Sequence, residues 1–183
     1  RDWSSDVCSS DLKARYVIGG HRDRLKHMMV HSALTLQAQS VRLLLALAAM
    51  FDFDVWTSDD KQAYLQSSKP LDREGFIEKP VPEFELEPHQ YLQLLKPLYG
   101  LCESGDLWHE TMDNHHRGDL GMKPLHSDPA LYVLVENGQL KGLFGGYVDD
   151  LIRAGDKRFK KIASRSRERF EMEERDELPF VFT

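Results

Sequence analysis

The chain has 183 residues, 41% of them hydrophobic and 30% charged, which is enough for one compact domain with a real core and carries no signature of disorder. No apolar run approaches the ~18 residues of a membrane-spanning helix, and two cysteines, Cys8 and Cys102, argue against a disulfide framework and suit a reducing compartment. A net charge of −6, taken alone, argues against a nucleic-acid partner.

The first twelve residues, RDWSSDVCSSDL (Arg1–Leu12), follow neither a helical nor a strand period. They resemble the translation of a sequencing-library adapter, so residues 1–12 are read as a non-native scar and set aside, the alternative being a genuine flexible tail. Residues 13–183 are read as one domain cut at both ends, because the final LPFVFT stops inside a strand-like run. KARYVIGG (Lys13–Gly20) reads as a short basic strand closed by a glycine turn. After an aperiodic stretch, Ser40 is a plausible N-cap for a helix carrying Val41, Leu44, Leu45, Leu47, Ala48 and Phe51 at helical spacing. DFDVWTSD then switches to period two, with Phe53, Val55 and Thr57 on one face, and runs into Asp59 and Asp60. KQAYLQSS begins a short helix or turn.

The middle of the chain is rich in proline and acid and reads as loop, with a short strand around Phe76–Lys79. YLQLLKPLYGL is a strand followed by a bend. A helix is predicted from Ser104 to Arg117, with Leu107, Trp108 and Met112 turned inward. ALYVLVENGQLKGLFGGYV holds the clearest local signal, two alternating apolar strands flanking Asn137-Gly138, the preferred type I′ turn. Asp156 is placed to cap a helix whose Phe159, Ile162, Ala163, Ser166 and Phe170 share a face. Mixed helices and antiparallel strands make the class α+β.

Two acidic pairs stand at strand ends, Asp59-Asp60 and Asp149-Asp150. Adjacent carboxylates near a core repel each other and are costly to bury. They become favourable when hard divalent cations neutralise them, and Mg²⁺ prefers oxygen ligands. Each pair also has a plainer reading, as a solvated turn or as helix N-caps. His115-His116 reads as a solvated helix end rather than a zinc site, since no cysteine or histidine partner stands at ligand spacing.

SDDKQAYLQS, LLKPLYGLCESGDLWHETM, SDPALYVLV and YVDDLIRAG occur in the order found in reverse transcriptases of copia-type LTR retrotransposons, and the chain from Lys13 to Thr183 resembles that family. The resemblance implies the fingers-palm fragment of a right-hand polymerase, an antiparallel palm sheet packed on helices, with the thumb missing. It implies an RNA-directed DNA polymerase that adds deoxynucleotides to a primer 3′-hydroxyl by two-metal phosphoryl transfer. The metals would be two Mg²⁺ ions, with Mn²⁺ as a substitute.

By the same resemblance Asp59 and Asp149 are the shared metal ligands, and Asp150 contributes less directly. Asp60 would ligate through its backbone carbonyl, leaving its side chain free. Tyr64 would pack under the incoming sugar and exclude a 2′-hydroxyl. Gly100 would let backbone approach nucleotide or template, the plain alternative being a turn glycine. Lys13 and Arg15 would face the triphosphate. His21, Arg22, Arg24 and Lys26 would meet template phosphates, whereas Lys157–Arg169 reads as a solvated helix face. Much of the remaining acid, including the tail EMEERDE, is expected to lie away from these motifs.

The implied partners are an RNA or DNA template with its primer, deoxynucleoside triphosphates, and the ribonuclease H, integrase and protease domains of a polyprotein, with no membrane. The implied setting is intracellular, in the cytoplasm within retroelement particles. A catalytically silent remnant that keeps only the fold or nucleic-acid binding is the alternative.

Overall fold

The computed structural model describes residues 17–20, 34–71, 76–77, 85 and 87–177. Lys13, Arg15, His21, Arg22, Arg24 and Lys26 lie outside the described residues, as do residues 1–12 and the final LPFVFT. In chain order the elements are α1 (Ala38–Phe51), β1 (Asp54–Asp60), a 3₁₀ turn (Ala63–Gln66), β2 (Phe76–Ile77), β3 (Leu92–Gln93), α2 (Ser104–Asn114), a π turn (His115–Asp119), β4 (Lys123–Pro124), β5 (Leu131–Glu136), β6 (Gln139–Tyr147), β7 (Asp150–Gly155), α3 (Lys157–Ala163), α4 (Ser166–Arg169) and β8 (Met172–Glu177). The class is α+β, as the sequence implied.

Six strands form one sheet in the order β4-β5-β6-β7-β1-β8, and every pairing within it is antiparallel. The strands alternate sides, so each face carries its own apolar layer. Helix α1 buries Leu44 and Ala48 against Val55, Leu131, Leu143 and Ala154 on one face. Helices α2 and α3 cover the other, where Trp108, Met112 and Phe159 pack with Trp56, Tyr132, Phe144 and Leu151. Full burial of a side chain such as Phe159 contributes about 2–3 kcal/mol.

Helix α1 does not start on the predicted cap. Ser40 lies inside the helix and is buried, while Gln37 is the N-cap residue and makes no side-chain cap bond. Its backbone N–H donates instead to Asp128 Oδ2 at 3.0 Å. A carboxylate remote in sequence thus anchors the N-cap residue itself, which no neighbouring residue reports. Asp156 caps α3 as predicted, accepting the Phe159 N–H at 2.9 Å. The predicted helix through Phe170 breaks into α3 and α4 at Ser164-Arg165; Phe159, Ala163 and Ser166 are buried, Ile162 is half-buried, and Phe170 is buried just past the end of α4. The predicted helix to Arg117 passes into the π turn after Asn114.

The histidine pair corrects the solvated-end expectation, because His115 and His116 are 3% and 1% exposed. His116 lies 3.9 Å from the Phe144 ring centroid and 5.1 Å from that of Tyr132, and its Nδ1 bonds the Met112 carbonyl at 2.7 Å. A neutral ring donating from Nδ1 fits this site, and burial drives its pKa down to about 3. Both rings continue the buried row of Leu107, Trp108, Thr111 and Met112 four residues further on, so helical spacing itself carried the signal that the solvated-end reading missed.

Candidate active site

Strand β1 carries Asp59 and Asp60 to one end of the sheet, and the β6–β7 hairpin carries Asp149 and Asp150 to the same end. The register sets Asp59 opposite Asp150, Thr57 opposite Ile152 and Ser58 opposite Leu151. Past the last ladder pair, the Asp60 N–H donates to the Asp149 carbonyl at 2.8 Å. Two acidic pairs remote in sequence therefore meet on neighbouring strands. Directly opposed residues share a face, so Asp59 shares the α1 side with Asp150, and Asp60 takes the opposite side with Ser58 and Trp56.

The tail corrects one expectation. Strand β8 pairs along the other edge of β1, with Glu173 opposite Asp59 and Met172 opposite Asp60. Part of EMEERDE is thus at the acidic end of the sheet rather than away from it. Nothing in its composition reports that proximity, which comes from the chain turning back after α4.

Asp60 is 1% exposed, and among the described residues neither of its carboxylate oxygens has a hydrogen-bond partner. Burial raises its pKa to about 7; Arg153 opposes the rise, and the Asp59 and Asp149 charges add to it. Arg153 is itself 2% exposed. Its Nη1 donates to Ser58 Oγ at 2.5 Å and its Nη2 to Met172 Sδ at 3.8 Å, while Nε has no partner among the described residues. Burial lowers the Arg153 pKa to about 10. The side chain of Asp60 is therefore enclosed rather than free, and its countercharge is a residue that motif reading passed over. The signal was available: a lone arginine at an inward position of the apolar strand LIRAG demands a buried anion.

The segment after Asp60 is clamped. Gln66 Nε2 donates to the carbonyls of Lys61 at 2.7 Å and Glu171 at 2.9 Å, and its Oε1 accepts the Glu171 N–H at 2.7 Å. This ties the 3₁₀ turn to the start of β8 and orients Tyr64, which is half-buried with its ring centroid 4.6 Å from that of Tyr99. Ser67 and Ser68 share the Thr111 hydroxyl of α2, and Lys96 Nζ donates to the Ser67 carbonyl at 2.6 Å.

Gly100 follows Tyr99 with φ +91°, and a Cβ there would lie 2.0 Å from the Ile18 carbonyl oxygen. The close approach that requires this glycine is to the chain's own 17–20 segment, whose Ile18 N–H donates to Tyr99 O at 2.7 Å.

The donor chemistry of this end suits Mg²⁺, which keeps several waters and takes only one or two carboxylates alongside substrate phosphates. The buried Asp60 side chain, whose pKa is raised chiefly by burial and opposed by Arg153, stands apart from the face that Asp59 shares with Asp150, so the candidate side-chain donors here are Asp59, Asp149 and Asp150. Among the described residues, no group of three or more His, Cys, Asp or Glu is disposed to hold an ion unaided. A substrate would have to complete the coordination shell. No helix among the described residues is long and apolar enough to cross a membrane.

Comparison with known proteins adds two findings. The family described as "Reverse transcriptase (RNA-dependent DNA polymerase)" matches residues 3–180. The retrovirus-related Pol polyprotein from transposon TNT 1-94 of Nicotiana tabacum is 33% identical over 120 residues, which is 63% of this chain and 9% of that polyprotein. The chain thus matches a small part of that relative's length. No solved structure matches the chain.

Proposed function

Since the chain belongs to the reverse transcriptase (RNA-dependent DNA polymerase) family and is of the copia type, we propose that it adds deoxynucleotides to the 3′-hydroxyl of a primer paired to an RNA or DNA template. One observation carries the reading: the Asp59-Asp60 strand end pairs with the Val148–Asp150 turn, bringing together both acidic pairs. Asp59 and Asp149 would hold two Mg²⁺ ions, or Mn²⁺ in their place, with Asp150 in a lesser part. Bound there, the ions supply an acidified primer hydroxyl and neutralise the leaving pyrophosphate.

The chain's own residues supply position and selection. Strand β1 presents Asp59 from rigid sheet, β7 presents Asp150 from its first residue, and Asp149 stands in a two-residue turn tied to β1 by the Asp60 N–H, which limits their misplacement. The Tyr64 ring, set by Tyr99 and the Gln66 clamp, would stand under the incoming sugar and disfavour a 2′-hydroxyl. The Asp60 backbone carbonyl would face the metals while its side chain stays in the sheet. Lys13 and Arg15 would bind the triphosphate. In the cell the chain would act within a retroelement particle, beside the protease, integrase and ribonuclease H of its polyprotein.

Primer extension on a homopolymer template tests the reading. We expect Mg²⁺-dependent extension by the chain and its abolition in Asp149→Asn with the circular dichroism spectrum retained. Undiminished extension by that variant would remove the mechanism. The same assay separates a second reading, a silent remnant of the polyprotein that keeps only the fold or nucleic-acid binding. Retained primer-template binding without extension by the unaltered chain would establish it.

A further inference from the structure

We propose that Trp108 is a positioning residue for the acidic turn, its indole N–H holding Val148 in the left-handed conformation that aims Asp149 and Asp150 at the end of β1; the catalytic consequence rests on the polymerase reading above. Tyr147 pairs with Asp150, so Val148 and Asp149 alone form the turn between β6 and β7. Val148 has φ +58°. A β-branched residue there costs roughly 1–2 kcal/mol, because its Cβ crowds the following carbonyl, and such strain persists only when the surroundings over-determine it.

Those surroundings are visible on both sides of the turn. Trp108 Nε1 donates to the Val148 carbonyl at 2.8 Å, and the Asp60 N–H donates to the Asp149 carbonyl at 2.8 Å. Both turn carbonyls are thus held from outside the hairpin, one by helix α2 and one by β1. Trp108 is suited to the task because it is locked: it is 3% exposed and meets the Phe170 ring edge-on at 5.4 Å. Its helix is anchored by Ser67 Oγ, which donates to the Leu107 carbonyl at 3.2 Å. Indole has one donor and no acceptor, and here that donor is spent on a backbone oxygen next to the proposed ligands.

The test removes the donor and keeps the ring, using Trp108→Phe together with replacement of Trp108 by 3-benzothienylalanine, which preserves the bicyclic shape and guards against a folding defect. Amide hydrogen exchange at Asp150, paired with Tyr147 across the turn, and at Asp60, whose N–H is held by the Asp149 carbonyl, should quicken by about tenfold or more, the factor that loss of ~1.4 kcal/mol of local restraint brings. Primer extension should lose on the order of ten- to a hundred-fold in kcat while KM for the deoxynucleotide stays within about twofold. Adding Val148→Gly should return most of both losses, since glycine takes positive φ without strain. A purely structural tryptophan would show no such rescue.

Unchanged exchange at the turn in the benzothienyl protein, or a Val148→Gly double variant no better than its Trp108 parent, would overturn the proposal. If the unaltered chain extends no primer, the exchange measurements still decide the role of Trp108, and only the polymerase reading falls.

Discussion

Two tight turns punctuate the same antiparallel meander and are built on opposite principles. The β5–β6 turn is Asn137-Gly138, with φ of +52° and +76°, two residue types that accept the left-handed region readily. The β6–β7 turn is Val148-Asp149, where a β-branched residue stands at φ +58° and external donors hold both carbonyls. The first turn is a local decision that any hairpin of this sequence would make. The second is imposed by helix α2 and strand β1, and strain accepted at that point coincides with the carboxylates. Strain of this kind gathers where chemistry requires a geometry that the chain would not choose unaided.

Exchanging the turns breaks the comparison most severely. Placing Asn-Gly at Val148-Asp149 should leave melting within about 4 °C, because relief of ~1 kcal/mol of strain offsets the lost valine packing. Primer extension should nevertheless fall to background, since the relaxed turn lacks the Asp149 carboxylate. Retained extension would separate the carboxylate from the reaction.

The next effect concerns Asp60, which lies beside the strained turn. Its folded pKa of about 7 stands above the ordinary 3.8, so the folded state holds the proton more tightly than the unfolded one. Its contribution is fully present below pH 3.8 and is lost as pH rises toward 7. Between pH 5 and pH 8 the loss spans roughly two pKa units, about 3 kcal/mol. Urea unfolding of Asp60→Asn against the parent should therefore show a stability gain larger at pH 8 than at pH 5. The difference between the two profiles isolates Asp60 from His116, whose lowered pKa works in the opposite direction. Parallel profiles would refute the buried ionisation.

The smallest effect belongs to the relaxed turn. Gly138→Ala meets no atom within 4 Å, so only its φ of +76° opposes the substitution. Stability should drop by about 1 kcal/mol with extension unchanged. A larger fall, or any loss of extension, would show that the distal turn is also set by remote contacts.

How far each feature could be read in advance follows the same division. The β5–β6 hairpin, the Asp156 cap and the period-two face of Phe53, Val55 and Thr57 all depend on neighbours in sequence, and the structure has them. The N-cap of α1 is held by Asp128, and the place of Glu173 depends on how β8 returns. Neither has a local signature, whereas the burial of His115-His116 was written in the helical spacing of α2 and was overlooked. The acidic pairs were visible as motifs, but which carboxylates face each other was not, because one residue of register exchanges the faces of a strand. Trp108 looked like a core residue at helical spacing. Its indole N–H acquires a purpose only where α2 crosses the β6–β7 turn.

Sequence alone determined the α+β class, the first hairpin and the family to which the motifs belong, because periodicity, turn chemistry and motif order are properties of adjacent residues. Tertiary structure alone decided that Asp60 is enclosed with Arg153, that Glu173 borders the acidic end and that Trp108 grips the strained turn. Burial and hydrogen bonding between remote segments exist only once the sheet has closed its register, and the environment of each charge is settled there.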